Sequence, residues 1–263
     1  MKSQIWLLDP RPQLATIVKM VERGFELSEA SNTPVMLELR IRACHVWGQF
    51  QCQSNRAPEF SRKQVLEKPD FDFGRICLPP STYAQEKHKV EVRLPAALDF
   101  IRRHELNEVF DGDGQDVGII VQGGHYNAVA RGLAQLGLAD AFGQARLPVY
   151  VLNVTYPLVA EEFTAFCRDK KAVLVIEEGQ PDFIEQAANV FLRKAGLEAR
   201  VFGKDVLPMA GEYTAEVVLA GLAEFIAASR PAGIEVTEVA ARAQALLAHK
   251  NRAAEILGQP VPL

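Results

Sequence analysis

Apolar positions along the chain change period several times, and those changes mark out the elements. The clearest stretch is Asp116–Gly137, DVGIIVQGGHYNAVARGLAQLG. Ile119–Val121 is short, apolar and β-branched, which predicts a buried strand. Gln122-Gly123-Gly124 ends the run with a sharp turn. From Tyr126 the period turns helical, with Val129, Ala130, Leu133 and Leu136 on one face and Gly137 as the stop. Strand, glycine turn and helix in that order open a parallel α/β domain.

The alternation then recurs. Leu147–Val154 is almost continuously apolar and reads as one strand covered on both faces. A helix is predicted from Tyr156-Pro157 to about Arg168, then a buried strand over Ala172–Ile176. Pro181 opens a helix carrying Ile184, Ala188 and Phe191, and Leu197–Phe202 reads as the next strand. Thr214 is placed to cap a helix bearing Val218, Leu222 and Phe225. An Ala-rich helix from about Val236 to Leu257 forms a tail.

Upstream the signals are fewer. Residues 1–12 read as extended, Gln13–Ser28 as an amphipathic helix and Val35–Ile41 as an alternating strand. One helix and one strand cannot bury a core, so residues 1–45 are expected to be the end of another α/β domain. Residues 46–115, broken at Pro58, Pro69, Gly74, Pro79, Pro80 and Pro95, read as a connector with one helix from Pro95 to Leu106. The expected division is therefore 1–45, a connector 46–115, the main unit 116–229 and a helical tail 230–263. The expected class is α/β, a mainly parallel sheet with helices on both faces.

Composition narrows the function classes. The 263 residues are 48% hydrophobic and 24% charged, ordinary for a soluble globular chain. A net charge of −4 gives no electrostatic reason for a nucleic-acid partner, and no apolar run is long enough to cross a membrane. Cys44, Cys52, Cys77 and Cys167 contain no CxxC pair, which argues for reduced thiols in a cytoplasmic setting and against a zinc or iron–sulfur site.

Ligands of an open parallel sheet gather at the carboxyl ends of its strands. That rule singles out Gln122, Gly123, Gly124, His125, Asn127, Tyr156, Glu177 and Glu178 as candidate cofactor-binding positions. The Gly123-Gly124 turn could aim backbone N–H groups at an anion, but it lacks GxGxxG or GK[ST] spacing and a plain tight turn is favoured. Glu177 and Glu178 point to opposite faces of a strand, which favours structural or interface roles over a shared catalytic proton. Cys44-His45 follows a strand without a partner to activate the thiol. Asp111–Asp116 fails as a calcium loop because Asp116 stands where glycine is needed. No catalytic residue and no metal ligand is assigned.

Taken together, several stretches resemble the alpha subunit of indolepyruvate ferredoxin oxidoreductase, in the 2-oxoacid:ferredoxin oxidoreductase superfamily. They are VKMVERGFELSEASNTPVMLELRIRACH (18–45), RICLPPSTYAQEKHKVEVRLPAALDFI (75–101), DVGIIVQGGHYNAVARGLAQLGL (116–138), VLNVTYPLVAEEFTAFC (151–167), AVLVIEEGQPDFIEQ (172–186) and GKDVLPMAGEYT (203–214). The resemblance implies that 116–229 is a transketolase C-terminal-like domain and 1–45 the end of a pyrimidine-binding-like domain. It also implies a complete enzyme that oxidatively decarboxylates an aryl 2-oxoacid to its acyl-CoA, with thiamine diphosphate, Mg²⁺ and iron–sulfur clusters as cofactors. Ferredoxin, CoA and the remaining domains or subunits would be its partners, and a homodimer its first expected assembly. The alternatives are another 2-oxoacid substrate, or a non-catalytic subunit-contact module. The activating glutamate would lie before Met1 and the metal-binding pyrophosphate domain after Leu263. Gly112-Asp113-Gly114 imitates half of that metal motif but precedes its strand, and it reads as a turn. This segment alone is expected to hold no cofactor and to be inactive.

Overall fold

A computed structural model describes residues 4–52, 54–55, 76, 78–140 and 143–261. Pro58, Pro69, Gly74 and Cys77 of the predicted connector lie outside the described residues. The main sheet has five strands in the order β3-β5-β4-β7-β8: β3 Glu108–Phe110, β4 Val117–Gln122, β5 Val149–Leu152, β7 Ala172–Ile176 and β8 Arg200–Phe202. β4, β5, β7 and β8 run parallel, as their apolar runs separated by helices predict, and β3 closes one edge antiparallel to β5.

Both faces of this sheet are covered, and the pleat sorts its residues between them. Val117, Ile119 and Val121 pack with Val129 and Leu133 of α5 (Tyr126–Gln135) and with Val218, Leu222 and Phe225 of α8 (Ala215–Ser229). Ile120, Val173 and Val175 face the other way, onto Phe163 of α6 (Ala160–Cys167) and Ile184, Ala188 and Leu192 of α7 (Phe183–Lys194). The tail helix α9 (Val236–Leu257) lays Val239 and Ala243 on the first of these cores. Thr214 caps α8 through the Val217 N–H (3.4 Å).

A second, three-stranded sheet runs β2-β1-β6, with β1 Trp6–Leu8, β2 Val35–Leu37 and β6 Val154–Tyr156. β1 and β2 pair in parallel around α1 (Leu14–Ser31), and β6 pairs antiparallel with β1. Several sequence expectations are corrected here. The apolar run Leu147–Val154 is two strands, because Asn153 leaves the ladder and turns the chain from one sheet into the other. Tyr156 belongs to β6, so the following helix starts at Ala160 and not at Tyr156-Pro157. β2 stops at Leu37, and Ile41–Cys44 form a single helical turn, α2.

The region expected to be a connector also contributes structure. Its helix begins at Ser81 as α3 (Ser81–His88), passes through a π-helical turn at Lys89–Arg93 and continues as α4 (Leu94–Arg103). The widened turn sits just before Pro95, whose missing N–H cannot carry the α-helical ladder. Ala97, Phe100 and Ile101 of α4 pack with Trp6, Leu8, Met20 and Leu27. The helix–strand pair that looked unpartnered in sequence is therefore covered on one side by α4 and β6.

Candidate functional site

The two sheets meet at their strand ends, where an extended Asp9-Pro10-Arg11-Pro12 segment crosses the glycine turn after β4. A Cβ on Gly123 would stand 1.9 Å from the Asp9 carbonyl oxygen, so only glycine permits this approach. The Asp9 carboxylate accepts the Gly124 N–H (3.1 Å), at the head of α5. The anion that the sequence allowed for at this helix terminus is thus a side chain of the same molecule.

Arg40 ties the site together. Its Nε and Nη2 donate to Asp9 Oδ2 (3.2 and 3.1 Å), Nη2 also to Gln122 Oε1 (3.1 Å), and Nη1 to Glu178. Gln122 Oε1 further accepts the Glu178 N–H (2.9 Å), while Glu178 Oε1 accepts the Tyr213 N–H (2.6 Å). His125 Nε2 lies 3.4 Å from Glu178 Oε2. The two ends of the central pair are not equivalent: the Asp9 side chain is 1% exposed and that of Arg40 15%. Burial pushes Asp9 up to about 6 against the pull of Arg40. Burial also opposes the Arg40 charge, but Asp9, Glu38 and Glu178 outweigh it and hold the guanidinium above its ordinary value.

Beside this hub, Arg11 donates to both carboxylate oxygens of Glu108 (2.9 Å each) and lies over the rings of Phe110 and Tyr126. Asn153, the residue that breaks the apolar run, accepts the Arg11 N–H (2.8 Å) and donates to Glu108 (3.0 Å). Burial disfavours charge on Glu108, yet the Arg11 and Asn153 bonds hold its pKa below the ordinary value.

The predicted positions therefore separate. Gln122, Gly124, His125 and Glu178 gather around Arg40, with Gly123 supporting the crossing. Asn127 is diverted to the Pro12 carbonyl (3.2 Å). Tyr156 packs on Trp6 in the smaller sheet, ring centroids 5.7 Å apart. Glu177 caps α7 through the Ile184 and Glu185 N–H groups (2.9 and 3.2 Å). Asp9, Arg11, Arg40 and Glu108 escaped the sequence reading, whereas Asn153 stands at a strand end that the same rule reaches. A signal existed, since Asp9 follows the apolar triplet of β1 and Arg40 comes soon after β2, so the strand-end rule applied to residues 1–45 reaches both.

The carboxylates and the guanidinium of this arrangement pair with one another. Each carboxylate at its centre holds a guanidinium or backbone donor. Among the described residues no group of three or more His, Cys, Asp or Glu side chains is arranged to hold a metal ion. Thiamine diphosphate does not fit at the glycine turn, because Asp9 occupies the helix terminus that a diphosphate would need.

Fold and site together define a mixed α/β protein whose strand-end charges serve the joint between two sheets. No family model matches the chain. It is 30% identical over 245 residues to indolepyruvate oxidoreductase subunit IorA of Methanothermobacter marburgensis, covering 91% of this chain and 37% of the relative. IorA of Methanothermobacter thermautotrophicus is 31% identical, with 81% of this chain and 32% of the relative covered. For Archaeoglobus fulgidus IorA the figures are 32%, 76% and 30%. The chain is similar to these IorA subunits over most of its own length and spans about a third of theirs. Among solved structures it is similar to a 2-oxoglutarate:ferredoxin oxidoreductase from Magnetococcus marinus (TM-score 0.38, 20% identity, 56% of this chain and 24% of that one). It is also similar to a split-gene transketolase (TM-score 0.40, 18% identity, 92% and 57%).

Proposed function

We propose that this chain is part of the alpha subunit of an enzyme that oxidatively decarboxylates indolepyruvate to its acyl-CoA and reduces ferredoxin. The observation that carries the reading is the 30% identity to an indolepyruvate oxidoreductase subunit across 91% of the chain. The thiamine diphosphate, Mg²⁺ and iron–sulfur clusters of such an enzyme would supply the acyl-anion and electron-transfer chemistry. They would be held by portions of the enzyme other than this one. The residues here hold two sheets in register and offer surfaces to those portions, and two copies would pair through the 116–229 unit. The closed pairings of Asp9, Arg40 and Glu178 favour this contact role for the isolated segment over a catalytic one.

Calorimetry with thiamine diphosphate and Mg²⁺ tests the reading. The chain alone is expected to give no heat of binding and no 2-oxoacid oxidation. Micromolar affinity, about −8 kcal/mol, would overturn it. Restored oxidation of indolepyruvate when the chain completes a subunit lacking this segment is the positive result. Restoration with a different 2-oxoacid alone would reassign the substrate.

A further inference from the structure

At the end of the smaller sheet away from Asp9 and Arg40, two cations share one pocket. The chain enters β1 through Gln4 and Ile5, and β2 through Thr33 and Pro34. The π-helical turn lies against these strand starts and brings Lys89 and Arg93 to a common pocket of about 410 Å³. Turns of this kind interrupt the regularity of a helix and often mark functional positions. Thr82 and Gln85 of α3 line the same pocket with a hydroxyl and an amide, and Glu86 lines it on the exposed side.

Lys89 is only 8% exposed. Its Nζ donates to the Gln4 carbonyl (2.6 Å) and to Thr33 Oγ1 (3.3 Å), and it stands 3.7 Å from the centre of the Trp6 ring. That ring is itself pinned, because Trp6 Nε1 donates to Ser31 Oγ (2.7 Å). All three partners of the ammonium are neutral. Arg93 spends Nε on His88 Nδ1 (3.0 Å), and among the described residues no carboxylate pairs with either cation. Burial, and after it the like charge of Arg93, lowers the Lys89 pKa to about 8. A charge this deep is costly unless an anion stands beside it, and here a second cation does.

We infer that this pocket binds a small dianion of the phosphate class between Lys89 Nζ and the Arg93 guanidinium. A phosphate group carries about −1.5 to −2 charges at pH 7 and three strong acceptor oxygens. It therefore balances one ammonium and one guanidinium, where a carboxylate balances only one of them. Lys89 reaches the anion by releasing the longer of its two oxygen bonds, the one to Thr33. Glu86 repels the charged end, so the phosphate lies toward Lys89 and any organic remainder points to solvent.

Trp6 reports on the site directly. Trp47, the other tryptophan, is 92% exposed, so Trp47→Phe in the full chain leaves Trp6 emission as the readout. Sulfate, inorganic phosphate and glycerol 3-phosphate are titrated at constant ionic strength. Each is expected to change the emission saturably, with a dissociation constant of about 1 mM. Tighter binding of glycerol 3-phosphate than of phosphate would mark an ester as the ligand, and equal binding would mark the free ion. Lys89→Met should abolish the change. Arg93→Gln, at a partly exposed side chain, should weaken sulfate by about tenfold with the fold intact, and Glu86→Gln should tighten it by about twofold. Sulfate keeps both charges from pH 7 to 9, and Arg93 and Glu86, the other charged groups lining the pocket, do not titrate there. Its affinity should therefore fall by about tenfold over that range as Lys89 loses its proton. No saturable change with any of the three dianions up to about 10 mM overturns the inference. So does acetate binding as tightly as sulfate, since one charge then suffices, or a sulfate affinity that Lys89→Met or pH leaves unchanged.

Discussion

At the residue scale the joint between the sheets depends on a carboxylate in an unfavourable place. Asp9 is sealed from solvent, and its pKa rises from 3.8 to about 6. Between those values the folded chain keeps a proton that the unfolded chain has released. Stability from this group is thus full below about pH 4 and is lost as pH rises through about 6, a change of about 3 kcal/mol. Asp9→Asn should flatten that slope, seen as urea midpoints that vary less from pH 4 to 7 than in the native protein. The glycine turn gives a second expectation. Gly123→Ala puts a methyl group 1.9 Å from the Asp9 carbonyl oxygen and should cost about 3 kcal/mol. Gly196→Ala meets nothing within 4 Å, and its φ of +69° limits the cost to about 1 kcal/mol. Thermal melts that rank the two the other way would refute the close approach.

At the scale of elements, the α7 cap makes the most local prediction. Glu177 accepts from the first N–H groups of the helix, and burial raises its pKa in spite of those bonds. Glu177→Ala should cost about 2 kcal/mol by urea unfolding. Exchange should accelerate first in the opening turn of α7. Legibility also divides at this scale. β4, β7, α5 and α8 were readable because each keeps one hydrophobic period between clear stops. β5 and β6 merged in the reading because Asn153 is a single polar residue inside an apolar run, and its role appears only when Arg11 and Glu108 come within reach. The start of the Ser81 helix was invisible because α3 buries none of its residues, so no stripe marks it. The strand-end rule reached Gln122, His125 and Glu178 but not Arg40, the cation that pairs with Glu178. Arg40 lies 138 residues from Glu178, and such a pairing leaves no trace in local pattern.

For the whole molecule the question is what makes two sheets one structure. The sheets share the chain at Asn153 and the β1–β6 ladder, and their carboxyl ends are bridged by Arg40 between Asp9 on one side and Gln122 and Glu178 on the other. Arg40→Met keeps the aliphatic stem and removes the charge, leaving buried Asp9 without its cation. A loss of about 3–5 kcal/mol is expected. It should fall unevenly: amides of β1, α1 and β2 should lose hydrogen-exchange protection while β4 and β7, packed on both faces, keep theirs. The loss should also depend on pH. Without Arg40 the buried Asp9 takes up a proton more readily, so the variant should be closer to the native protein at pH 5 than at pH 8. Adding Asp9→Asn to Arg40→Met should recover part of the loss at pH 8, because the stranded charge is gone. A uniform loss through both sheets, or one unchanged between pH 5 and 8, would show that Arg40 acts through packing alone and that the joint is not electrostatic.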